Sequence, residues 1–251
     1  MVTNALAFAA LILELIIIVR GIRGRAVSSF PLFFSYVGYM FFGIAVTLAI
    51  SWYWIDSYPY AYWIYYLISL LAEFAVLAEI ADHAFRFFPA VRRLGHVLTV
   101  VPGILFGLVY VLPPLLVPGP RDVLVLEIVK RASVVKIGII VVLVAGFRYF
   151  HLAVGRSVSG LLLGFSIYLA TNVANFALAE EFGATLYEQV FRNLLPASFN
   201  MALMIWTVTL WRFEPVRSPA PGPAESGERG QQPVAVQLGK IDTALDRLFR
   251  R

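Results

Sequence analysis

Predominantly apolar runs alternate with short polar spacers along this chain, over residues 5–19, 30–52, 61–85, 94–117, 132–147, 158–179 and 194–211. A helix needs roughly 20 residues to cross about 30 Å of hydrocarbon at 1.5 Å per residue, and these runs are of that order. The pattern predicts an all-α membrane protein, a seven-transmembrane-helix bundle occupying residues 1–213. The fourth run contains Pro102, Pro113 and Pro114, which remove backbone donors and predict a kink. The fifth is expected to begin beyond the bilayer, near Asp122, ahead of Lys130 and Arg131.

The spacers carry the second signal. Arg20, Arg23 and Arg25 follow the first run, Arg86, Arg92 and Arg93 the third, Arg148 and Arg156 the fifth, and Arg212 and Arg217 the seventh. The intervening spacers hold Asp56, then Arg121 with Asp122, then Glu180, Glu181 and Glu188. Basic loops stay on the cytoplasmic face, so the N-terminus is expected outside and the C-terminus in the cytoplasm of a cell (inner) membrane. Residues 214–239 are rich in Pro, Gly, Ser and Gln and read as a disordered linker. Residues 240–251, from Lys240 to Arg251, place Ile241, Leu245 and Leu248 at helical spacing. Two readings are open for this short amphipathic segment: a frayed tail helix, or a docking helix for a cytoplasmic protein partner or the anionic inner leaflet.

Composition sharpens the class. The 251 residues are 60% hydrophobic and 14% charged, against about 25% charged in a soluble domain. A net charge of +5 would suit nucleic acid, but the arginines gather at helix ends, where they set topology, and no nucleic-acid partner is expected. There is no cysteine, which excludes disulfides, thiolate metal sites and cysteine nucleophiles. Met1, Val2, Thr3 and Asn4 place no basic side chain before the first run, so a retained first helix is expected rather than a cleaved leader.

Charge at membrane depth costs about 2.5–3.5 kcal/mol per residue even on lenient insertion scales, so each instance needs a reason. Glu73 lies about 13 residues, or roughly 20 Å, along the third run from Tyr60. Lys136 is comparably deep in the fifth. A Glu73–Lys136 pair would neutralise both, either pinning two helices together or lining a ligand or proton site. Glu79, Asp82, His83 and Arg86 share one helical face at spacings of three and four, predicting Asp82–Arg86 and Glu79–His83 pairs. Glu14 falls at similar depth without an evident local partner. This cytoplasmic polar cluster reads as a solvated helix end, or as a proton relay because histidine titrates near neutrality.

The sixth run offers Tyr168, Thr171, Asn172 and Asn175 on one face, and the seventh Asn193, Ser198, Asn200 and Thr207, with Pro196 as a kink. Such groups serve as interhelical glue or as the polar wall of a cavity. Nine Trp or Tyr residues between 52 and 66 predict an outer interfacial belt, with some able to roof a cavity. Glu127 with Lys130 or Arg131, and Glu188 with Arg192, are spaced to pair on a helix surface. The three histidines, at 83, 96 and 151, are scattered, so no metal is expected. No cofactor is expected either. No phosphate loop, HExxH or GxSxG motif occurs, and the seventh run has no lysine for a retinal Schiff base.

The stretch from Glu79 through Asp82, His83, Phe85, Arg86, Pro89, Arg92 and Arg93 to Gly95 resembles a group of functionally uncharacterised seven-helix inner-membrane proteins of bacteria. The body is also loosely similar to the seven-helix membrane sensor modules that precede kinase domains in bacterial regulators, although no such output domain follows here. The resemblance lends no site residues. The leading expectation is a non-enzymatic receptor-like or sensor-like protein that takes a small-molecule or lipid ligand into a cavity lined by Glu73, Lys136, Asn172, Asn175 and Asn200. Its output would pass to a cytoplasmic partner. The alternative is a proton-coupled transporter using Glu73, Glu79 and Glu14.

Overall fold

A computed structural model describes residues 2–86, 89–112, 121–149, 154–189, 193–211 and 213. The linker 214–239, the segment 240–251, Pro113, Pro114, His151, Arg192, Arg212 and Arg217 lie outside the described residues, as do the side chains of Arg121, Asp122, Glu180, Glu181 and Glu188. The described secondary structure is helical. Seven α-helices run in order: α1 Val2–Arg23, α2 Pro31–Tyr53, α3 Tyr58–Phe85, α4 Pro89–Phe106, α5 Arg121–Tyr149, α6 Arg156–Gln189 and α7 Leu194–Trp211. A short 3₁₀ turn, Ile55–Ser57, joins α2 to α3.

Five helical stretches are long and apolar enough to cross a membrane: Ala5–Arg23, Pro31–Tyr53, Ala61–Phe85, Arg156–Leu178 and Leu194–Trp211. Gly95–Val111 is a shorter apolar helix, and α5 carries Glu127, Lys130, Arg131, Lys136 and Arg148 along its length. Pro102 lies inside α4. The helix continues past it and widens into a π turn over Gly107–Val111, so the expected irregularity falls just beyond the proline.

The chain order is also the spatial order. Each helix packs against the next, and α7 returns to pack on α1, closing a ring in which α1 and α7 run parallel; α3 leans inward to touch α5 and α6 as well. The exterior of α1 shows what surrounds this ring. Phe8, Ile12, Leu15, Val19 and Ile22 are exposed at alternating steps of four and three, while Ala10, Glu14 and Ile17 on the opposite stripe are buried. A water-soluble helix has the reverse arrangement. Here the apolar stripe faces out and a carboxylate faces in, as a lipid surround requires.

Close packing of α6 on α7 rests on two glycines four residues apart. A Cβ on Gly164 would come within 2.2 Å of the Trp206 indole, and one on Gly160 within 2.2 Å of Thr209. Trp206 is fully buried and its indole N–H donates to the Leu161 carbonyl at 3.2 Å. Small residues at this spacing let helix backbones approach, the usual device where no hydrophobic gradient drives helices together.

One end of the ring collects the arginines. Arg20 near the end of α1 donates to the Trp211 carbonyl at the end of α7 and lies over the Trp211 ring at 4.4 Å, covering C-terminal carbonyls with a cation. Phe85 at the end of α3 stacks near Phe147 of α5. The exposed Trp52, Tyr53 and Trp54 sit at the far end of α2, away from this basic rim. Their neighbours Tyr65 and Tyr66 are instead packed against the core. The expected aromatic belt is therefore split: part faces out and part turns inward.

Candidate functional site

The helices α2 and α3 run in a fixed register that sets the depth of the interior polar groups they carry. Moving along α2 from Leu32 to Tyr36 and Gly43, the facing residues on antiparallel α3 are Glu79, Glu73 and Tyr65. At the shallow end, the Glu79 carboxylate accepts the backbone N–H groups of Leu32 and Phe33, each at 2.8 Å. The helix α2 starts at Pro31, and its N-cap residue, Phe30, provides no side-chain cap. Glu79 supplies the missing acceptor from a neighbouring helix and puts negative charge where the helix dipole favours it.

Roughly 9 Å further along α3, at six residues of helical rise, Glu73 accepts hydrogen bonds from two other helices. Lys136 of α5 donates to one carboxylate oxygen, and the Tyr36 hydroxyl of α2 donates to the other at 3.3 Å. Lys136 and Glu73 are 2% and 4% exposed. The ammonium also lies 5.5 Å from the Phe74 ring centroid, within cation–π range. The expected pair is therefore present, with Tyr36 as a third member that the sequence reading missed. Its signal was present in the chain: a tyrosine on an otherwise apolar turn of α2, needing a partner for its hydroxyl.

Other interior polar atoms have hydrogen-bonding capacity that is unmet among the described residues. Both carboxylate oxygens of Glu14, both amide atoms of Asn175 and the Oδ1 of Asn172 are buried without a partner among the described residues. Glu14 and Asn175 are fully buried. Glu14 is in electrostatic range of Tyr36 and Tyr65. The Tyr168 hydroxyl interacts with Tyr66 and Asn172, and feels the charge of Glu73. Such atoms ordinarily find a partner, because an unsatisfied buried polar group costs about 1–3 kcal/mol.

The Asn200 Oδ1 is also buried without a partner among the described residues, whereas its amide nitrogen is engaged. Its Nδ2 donates to the Leu6 carbonyl of α1 at 3.1 Å and to the Pro196 carbonyl at 2.8 Å, so it ties α7 to α1. Ser198 and Thr207 hydrogen-bond to carbonyls within their own helix.

The expected cytoplasmic cluster is rearranged. Asp82 pairs with Arg92 rather than Arg86, through Arg92 Nε to Oδ1 and Nη2 to Oδ2 at 2.9 Å, and Oδ1 also meets His96 Nε2 at 2.8 Å. A bidentate fork from the next helix offers better geometry than a single contact one turn along. The Asp82 carboxylate holds the Arg92 guanidinium above the usual arginine range. His83 lies within electrostatic range of the Glu79 carboxylate, but its ring nitrogen turns elsewhere. Its Nδ1 faces the Glu79 backbone carbonyl at 3.1 Å, and its ring stacks on Phe30 at 4.4 Å. Arg86 joins Arg92, Arg93 and His96 around a pocket of about 390 Å³. Glu14 belongs to the interior group instead. On the outer part of α5, Glu127 selects Arg131 at 2.9 Å. No group of three or more His, Asp or Glu side chains able to hold a metal occurs among the described residues.

No family model, curated protein or solved structure matches the chain. Fold and site together define a helical membrane protein with ionisable groups sealed in its interior.

Proposed function

We propose that this chain is a receptor-like or sensor-like protein of a bacterial inner membrane, spanning it seven times with the N-terminus outside and the basic rim in the cytoplasm. It binds a small polar ligand between α1, α3 and α6 and passes occupancy to a cytoplasmic partner, without a catalytic step. The gathering of Arg20, Arg86, Arg92, Arg93 and Arg148 toward one end supports the orientation. The buried carboxylate of Glu14, the amide of Asn175 and the Oδ1 of Asn172, each without a partner among the described residues, carry the ligand assignment. Glu73 and Lys136 satisfy each other, so the remaining demand is for donors at Glu14 and for both donors and acceptors at the amides. A small amine or polyhydroxylated molecule meets it. The loose likeness to bacterial seven-helix sensor modules points the same way.

The test is thermal unfolding of the purified full chain against a library of amines, amino acids and polyols. A ligand at 100 times its dissociation constant stabilises by about 2.7 kcal/mol. A shift that disappears in Glu14→Gln and Asn175→Ala, both still folded, supports the assignment; a ligand shift indifferent to both overturns it.

A second reading is a proton-coupled transporter, favoured by Glu73 and Glu79 stepping down α3 toward the basic rim with Glu14 close by. In proteoliposomes, proton-coupled flux lost in Glu73→Gln selects it, and flux that survives the substitution removes it.

A further inference from the structure

Two pockets share the seam between α3 and α4. One is the basic pocket of Arg86, Arg92, Arg93 and His96 at the rim. The other is an apolar groove of about 410 Å³ whose lining includes Leu71, Ala75, Val100, Ile104 and Leu108. Their linings share one stripe of α4: His96, Val100, Ile104 and Leu108 follow at steps of four. On α3 the line runs from Arg86 back to Ala75 and Leu71. Gly103 and Gly107 form the floor. A Cβ at Gly103 would come within 3.1 Å of Phe74, whereas one at Gly107 would only reach ordinary contact with Leu71, at 3.5 Å.

The dimensions match one leaflet. Ile104 and Leu108 lie roughly 12 and 18 Å of helical rise beyond His96, and half the hydrocarbon core is about 15 Å thick. Val100, Ile104 and Leu108 are exposed, so the groove opens to the surround and not to the interior. At the rim, Arg86, Arg92, Arg93 and His96 gather around one pocket, and Asp82 holds Arg92 and His96 in place there. Charge and apolar length together fit an amphiphile with an anionic head. Basic pockets between helices at the cytoplasmic side hold such head groups.

We infer that the α3–α4 seam binds one anionic phospholipid of the leaflet at the basic rim, with its phosphate among Arg86, Arg92, Arg93 and His96 and an acyl chain over Gly103 and Gly107. This site is separate from the interior polar group and stands whether or not that group binds a ligand.

Delipidated full-length protein in neutral detergent is titrated with phosphatidylglycerol, with phosphatidylcholine of the same chains, and with inorganic phosphate, reading bound lipid by native mass spectrometry and unfolding temperature in parallel. Phosphatidylglycerol is expected to bind at least about tenfold tighter than phosphatidylcholine. Each arginine near an anionic head group contributes roughly fivefold, so Arg86→Gln with Arg93→Gln lowers phosphatidylglycerol affinity about thirtyfold. Ala75→Phe, which fills the groove and leaves every charge in place, weakens binding of the long-chain lipid but not of a water-soluble short-chain analogue. Equal binding of the two lipids overturns the inference without recourse to any variant. So does a preference that survives the double arginine substitution, an unaltered long-chain affinity in Ala75→Phe, or inorganic phosphate matching the lipid.

Discussion

Lys136 on α5 donates to Glu73 on α3 across 63 residues of sequence, and both side chains are almost wholly enclosed. Tyr36 completes the arrangement from α2. Three helices are thus joined at one carboxylate. Removing one partner strands a charge in a low-dielectric interior, whereas removing both costs little where the space is refilled.

Lys136→Met and Glu73→Gln are each expected to destabilise the fold, Lys136→Met by about 3–5 kcal/mol because it leaves the carboxylate stranded. The double variant should recover most of that loss. A double-mutant cycle from thermal or denaturant unfolding in detergent measures the coupling. Losses that simply add would show that the two groups do not depend on one another.

Glu79 tests a different kind of contact. Its carboxylate serves Leu32 and Phe33 at the start of α2, a cap delivered by a neighbouring helix. Glu79→Ala should cost roughly 1–2 kcal/mol. The same substitution should speed hydrogen exchange in the first turn of α2 ahead of the rest of that helix. Uniform acceleration along α2 would mean the contact does not act as a cap.

Gly164 faces Trp206 with no room for a side chain. Gly164→Val should destabilise by at least about 1–3 kcal/mol through overpacking, and Trp206→Ala in the same chain should relieve part of the clash. Full stability of Gly164→Val would show that α6 and α7 can separate without cost.

Depth counting from the charged boundaries was enough to match Glu73 with Lys136, because a buried charge must find its opposite and few were at that level. The same local reasoning misassigned Asp82 and Glu79. Helical spacing offers partners on one face only, while the better donors lie on other elements: the Arg92 fork across the α3–α4 turn, and the two N–H groups at the head of α2. Asn200, expected with Asn172 and Asn175, shares with them an unpartnered amide oxygen among the described residues, while its Nδ2 goes to Leu6 of α1. Gly160 and Gly164 stand four residues apart, and the approach of Trp206 and Thr209 gives that spacing its meaning.

Long apolar runs and their arginine-bearing spacers, read from the sequence alone, determined that the chain is helical and built for lipid, since hydrocarbon forces each span to satisfy its backbone within itself. Which polar side chains would meet was decided only by the tertiary structure. A helix periodicity states which residues share a face. The register between antiparallel α2 and α3, the inward lean of α3 and the ring order of the seven helices settle what that face looks at. Those depend on packing between segments far apart in the chain, where Tyr36 comes to Glu73 and Glu14 finds no hydrogen-bond partner among the described residues.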